Sequence, residues 1–275
     1  MRGILAALAI IALAAPAVAG DTVTWLTSDL PPQYIAEGEL SGLGIKDQQL
    51  KLIATEFPDL QHRTLRASIS RLWYQIQHED GMCGIGVLRS PEREKIAAFS
   101  RRPVLVPGFR LIVRDEDKSL FSPFSDEQGE VDLTALQQSR KLNGGYVADR
   151  IYPPAMAAYI QSGDRRAGVE KSVDNERLFQ LLHSKRVDFI FGLAYESAYY
   201  SWKFGGQQAL ASLPVKDTPR TVGGYTACSN QPVGRAMIAR LDAMQSDDRL
   251  WRQWLDPLRR WLEPPDFAMA VAAQP

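Results

Sequence analysis

The chain has 275 residues, with 32 Lys and Arg against 32 Asp and Glu, so its formal net charge is zero. That balance argues against a nucleic-acid partner, which requires a clustered basic excess, and against a polybasic clamp on a membrane surface. A hydrophobic fraction of 45% and a charged fraction of 23% are ordinary for a chain that buries a globular core.

The first segment, MRGILAALAIIALAAPAVAG, joins Arg2 to an apolar run from Ile4 to Ala15 and the small-residue pattern Ala17-Val18-Ala19. This predicts a secretory signal peptide cleaved after Ala19, because the run is too short for a membrane span. No cysteine follows it, so no lipoprotein anchor is expected, and the expected location is the periplasm. Next, TVTWL (22–26) predicts a strand that Pro31-Pro32 must end, since proline cannot donate to a ladder. The turn glycines of GELSGLG lead into IKDQQLKLIATE, a helix stopped before Pro58, and ISRLWYQIQH (69–78) repeats the helical spacing with Trp73 on its core stripe. GMCGIGVL predicts a short buried strand, and Ser90-Pro91 caps a new helix.

Residues 104–113 read as strand and crossover, and DEDKSLFSPFSDEQGE reads as a charged surface loop. Residues 132–163 predict helix, strand, loop and helix, and NERLFQLLHSKRVDFIFG predicts a helix followed by a strand. Val187 to Phe191 form the near-continuous apolar run of a central parallel strand. The segment from Val233 to Leu262 is helical, with breaks at Ser246-Asp247 and Pro257, and its tryptophans Trp251, Trp254 and Trp261 are expected to pack. The final EPPDFAMAVAAQP has no periodicity.

Two cysteines, Cys83 and Cys228, in an oxidising compartment favour a disulfide over two buried thiols. His62, His78 and His183 are scattered without metal-ligand spacing, so neither a metal nor another cofactor is expected. Alternating strands and helices predict an α/β architecture of two lobes, each a mostly parallel sheet flanked by helices. Ligands bind such sheets beyond the strands' carboxyl ends, so facing lobes would enclose a cleft.

Three stretches carry a resemblance. TWLTSDLPPQY followed by GELSGLGIKDQQL, then RSPEREKIAAFSRRP, then KRVDFIFG, resemble in order the periplasmic solute-binding proteins of the polar amino-acid type, in a proteobacterial branch. The resemblance implies a signal peptide at 1–19, lobe 1 at 20–105, lobe 2 at 106–218, the rest of lobe 1 at 219–262, and a loose tail at 263–275. It implies that Arg93 forks onto a ligand's carboxylate, a role that suits parallel guanidinium donors. Ser90 would offer its hydroxyl and amide to the same anion, and Gly86, Val87 and Leu88 would turn backbone groups to the ligand.

In the second lobe the loop Asp149-Arg150-Ile151-Tyr152 stands where the family carries a smaller loop. Leu193 stands where amino-acid binders carry the aspartate for the ammonium, with Glu196 nearby. Tyr34, Tyr195, Tyr199, Tyr200 and Trp202 are candidate cleft walls, each with packing as the alternative. The return of the chain to lobe 1 near Val222–Cys228 would let a Cys83–Cys228 bridge join that lobe's distant parts. The implied partners are a small-molecule ligand and an ABC-type permease or membrane sensor, with the protein a monomer. No catalytic residue is assigned. The alternatives are a dehydratase-like enzyme, for which Glu196, Asp149 and Asp29 are the candidate acids, and a periplasmic interaction protein with a degenerate cleft.

Overall fold

The computed structural model describes residues 21–28, 30–148, 150–162, 169–172, 174–204 and 210–275. The signal-peptide segment, Asp29 and Asp149 therefore lie outside the described residues. Along the chain, β1 (Thr22–Thr27), α1 (Ile45–Glu56), β2 (Gln61–Arg66), α2 (Ile69–His78), β3 (Met82–Val87), α3 (Pro91–Glu94), β4 (Ala97–Phe99) and β5 (Val104–Pro107) come first. The middle holds β6 (Phe109–Arg114), α4 (Leu133–Ser139), β7 (Gly144–Val147), α5 (Pro154–Ser162), β8 (Val169–Ser172), α6 (Asn175–His183), β9 (Phe189–Leu193), α7 (Ala194–Lys203) and β10 (Leu210–Leu213). The chain closes with β11 (Thr221–Ser229), α8 (Pro232–Ser246), α9 (Asp248–Leu255) and α10 (Pro264–Ala273).

Two sheets result, and each defines a lobe. The first runs β2-β1-β3-β11-β4, with β5 also on β11, and the second runs β10-β6-β9-β7-β8. Both are mixed, which corrects the expectation of mostly parallel sheets. Among the named strands only β2-β1-β3 and β9-β7-β8 are parallel trios, and every other pairing between them is antiparallel. The reason lies in the two strands that connect the lobes. A chain entering the second sheet through β6 and leaving it through β10 must reverse direction beside its neighbours.

Sequence patterns explain the elements that flank the site. Strand β9 is buried at all five positions, as its apolar run requires of a strand covered on both faces. Helix α2 buries Leu72, Gln75 and Ile76 on one stripe, and its Ser68 cap accepts the Arg71 N–H. The surface loop expected at 115–130 instead begins with 3-10 turns over Asp115–Phe124, which bury Phe121.

Cys83 on β3 and Cys228 on β11 form a disulfide across directly opposed positions, 145 residues apart in sequence. At the hinge, β5 pairs with the first half of β11, from Pro107–Thr221 to Val104–Gly224. The Gly108 N–H donates to the Arg220 carbonyl, and a Cβ on Gly108 would sit 2.1 Å from the Pro219 carbonyl oxygen. Only glycine fits where the two interlobe segments pass so closely.

The tail expected to be loose is helical over Pro264–Ala273 and packs on β5. The Gln274 side chain pairs with both backbone groups of Leu105, and Asp266 binds Arg110 of β6 at 2.6 Å. These anchors lie far away in sequence, which is why local periodicity did not reveal the helix.

Candidate functional site: the interlobe cleft

Between the sheets lies a cavity of about 1220 Å³, lined from one side by the β1–α1 loop, α1, α2 and the end of β3, and from the other by β6, the β7–α5 loop and α7. The β1–α1 loop is tied down by Asp47, whose carboxylate accepts the Ile35 and Gly44 N–H groups at 2.9 and 3.2 Å. That anchor sets Tyr34 and Lys46 on the cleft wall. The Tyr34 hydroxyl is buried and has no hydrogen-bond partner among the described residues. Burial first, and Asp47 second, push its pKa above the ordinary phenol value.

Lys46 is partly buried, with its ammonium 5.4 Å from the centre of the Tyr34 ring and 3.5 Å from the Gly86 carbonyl. Among the described residues it has no carboxylate partner, and desolvation pulls its pKa down to about 7. Gly86 makes room for it. The residue has φ +67, and a Cβ there would come 2.5 Å from Lys46 Cε.

Arg93 belongs to the four-residue helix α3, capped by Ser90. Its guanidinium lies 4.3 Å from the centre of a Trp73 ring and donates to the Leu88 carbonyl at 2.7 Å. The neighbouring glutamates are engaged elsewhere: Glu94 pairs with Arg89, and Glu92 accepts the Ser90 hydroxyl at 2.8 Å. Arg93 thus has no carboxylate partner among the described residues, and desolvation lowers its pKa.

The second lobe is built around Glu196, whose side chain is 1% exposed. It accepts from Arg150 at 2.9 and 3.3 Å, from the Asn175 amide at 2.8 Å and from the Leu193 N–H at 2.8 Å. Burial works against the Arg150 charge, and Glu196 together with Tyr152 and Tyr195 more than offsets it, so the guanidinium is held above its ordinary pKa. A hydrogen bond crosses from lobe to lobe here, from the Gln33 amide to the Tyr195 hydroxyl at 2.8 Å.

No protein-family model and no curated protein matches the sequence. Solved structures do match. An ancestral cationic amino-acid solute-binding protein superposes with a TM-score of 0.63 at 15% identity, covering 88% of this chain and 96% of its own. A histidine kinase sensor domain similar to periplasmic binding proteins gives 0.61 at 15% identity, covering 90% and 99%. An amino-acid ABC transporter substrate-binding protein from Streptococcus pneumoniae, bound to L-arginine, gives 0.59 at 18% identity, covering 89% and 97%. The fold is that of the periplasmic binding proteins.

On this binding-protein fold the cleft brings together Tyr34, Gly86, Val87, Leu88, Arg93, Arg150 and Ile151. Ser90 is not part of the lining, and its hydroxyl serves the α3 cap and Glu92. Tyr152 turns into the second lobe, where its hydroxyl accepts the Val147 N–H and its ring packs on Phe109 and Phe191. Tyr195, Tyr199 and Tyr200 reach the lining, whereas Trp202 does not. Trp73, read from its stripe as core, lines the cleft under Arg93. Two features escaped the sequence: Lys46, which sits on an otherwise unremarked turn of α1, and the saturation of Glu196 by Arg150.

Lys46 makes a testable difference to stability. Its folded pKa lies below the ordinary 10.5, so the unfolded chain binds the extra proton between about 7 and 10.5. The burial penalty is therefore full below pH 7 and fades as pH rises through that window. Lys46→Met is expected to raise the melting temperature at pH 6, with the gain shrinking steadily towards pH 10. A gain that stays constant with pH would mean the ammonium is not desolvated.

Proposed function

We propose that the protein is an exported receptor that closes on a small carboxylate-bearing solute, an amino acid or a related organic acid, and presents it to an ABC-type permease or a membrane sensor. The observation that carries this reading is Arg93, a guanidinium on the cleft wall that stacks on Trp73 and lacks an acidic partner among the described residues. A planar fork held in that way keeps donors free for a carboxylate, where charge-assisted bonds are strongest. The Gln33–Tyr195 bond supports closure of the two lobes around the solute. A dehydratase would need an acid or base facing the substrate. Of the candidate acids, Glu196 is held by Arg150 and Asn175, and Asp149 and Asp29 lie outside the described residues, so Lys46 is the described cleft group that such an activity would have to use.

A thermal-shift panel of amino acids, dicarboxylates and aromatic acids tests the reading, with Arg93→Ala as its control. Truncation of a charge-assisted bond of about 2 kcal/mol lowers affinity roughly thirtyfold, while the lost Leu88 and Trp73 contacts lower the unliganded melting temperature only slightly and leave the fold intact. Equal affinity in wild type and variant would reduce Arg93 to a surface charge. A panel without a single shift, in a folded protein, would favour the interaction protein.

A further inference from the structure

We infer that the cleft selects organic acids that carry no ammonium group. The inference rests on the carboxylate-receptor reading and narrows its ligand class.

A zwitterionic solute needs acceptors for its three N–H donors, and among the described residues the carboxylates of the cleft and the carbonyls at the end of β3 are engaged or exposed to water. At the end of β3, the Gly86 carbonyl lies beside the Lys46 ammonium, and the Leu88 carbonyl takes the Arg93 guanidinium. Across the cleft, Glu196 accepts from three different residues and is covered by Arg150. Of the described acids along the lining, Asp174 caps α6 through the Arg177 N–H, and Glu176 pairs with Lys203 at 2.8 Å. Glu37 is exposed, where a charge pair is worth little against water.

The unfilled charged groups are donors, and the orphaned Gln245 amide oxygen on the lining is a neutral acceptor without the charge an ammonium needs. Lys46 keeps N–H groups beyond the one near Gly86, Arg93 keeps those its contact with Leu88 leaves over, and the buried Tyr34 hydroxyl has no partner among the described residues. A solute that presents acceptors and negative charge suits each of the three. A ligand ammonium would instead approach Lys46, Arg93 or Arg150 as a like charge in a partly desolvated space, which is costly. Leu193, buried at the head of α7, adds an apolar wall where the rest of the solute would lie.

The experiment compares matched pairs that differ only in the amine: glutarate with L-glutamate, succinate with L-aspartate, and 3-phenylpropanoate with L-phenylalanine. Binding is read by isothermal titration on wild type at pH 6.5. In at least one pair the amine-free acid is expected to bind at least tenfold more tightly than its amino acid. Lys46→Gln is expected to weaken that acid about tenfold, and Arg150→Met, which uncovers Glu196, to narrow the gap between the two members. If the amino acid binds more tightly in every pair that binds at all, this inference fails while the receptor reading stands. If no member of any pair binds folded wild type, both fail together. Should Arg150→Met not fold, the wild-type pairs and Lys46→Gln still decide the matter.

Discussion

Replacing Cys83 and Cys228 together by alanine is expected to lower the free energy of unfolding by about 4–5 kcal/mol, the chain-entropy value for a loop of this length. Both residues are fully buried on adjacent antiparallel strands, and the bond closes a span of 145 residues. Cross-linking so long a span removes many conformations from the unfolded chain while asking little of a strand pair already in register. For a chain of this size the loss corresponds to a melting temperature lower by roughly 10–20 °C. Chemical denaturation of the oxidised protein against the double variant measures it directly. An unchanged midpoint would mean that the β3–β11 pairing holds the lobe without covalent help.

The second large effect belongs to the Arg150–Glu196 pair. Glu196→Gln keeps the size and some of the hydrogen bonds but leaves the Arg150 guanidinium, 17% exposed, without its counter-ion. Stranding one member of a buried pair costs about 3–5 kcal/mol, whereas removing both charges costs far less. The double variant Arg150→Met with Glu196→Gln should therefore be more stable than Glu196→Gln alone. A double-mutant cycle by denaturant titration settles it: additive losses would show that the two side chains are neighbours without coupling. Asn175 and the Leu193 N–H share the same carboxylate, so some coupling extends to them.

Much of this fold could be read in one dimension. The alternation of α1, α2 and β9 is written in apolar spacing, and Ser90-Pro91 marks the start of α3 as capping chemistry demands. Strand β2 was missed because QHRTLR is an edge strand exposed at five of its six positions, so no buried face imposes a period of two. The mixed direction of the sheets was missed because strand sequences record burial and not orientation. In the cleft, Arg93 and the β3 end were legible as a local motif. Lys46 was not, since its role depends on a left-handed Gly86 forty positions away making space for its stem. Nor was the closing of Glu196 by Arg150, where two residues 46 apart cancel each other's charge.

The first lobe is discontinuous in sequence, and this has a consequence for how the molecule comes together. Its sheet lacks a central member until β11 has been made, whereas the second sheet is contiguous from β6 to β10. Synthesised from its N-terminus, the chain can complete the second lobe while β1 to β5 still wait for the strand that joins them, because the contiguous lobe has the shorter loops to close. The Cys83 thiol waits with them, well over a hundred residues ahead of its partner. With only two cysteines in the chain, that long interval offers no wrong pairing within the molecule, so oxidation has a single intramolecular outcome whenever the last strand arrives.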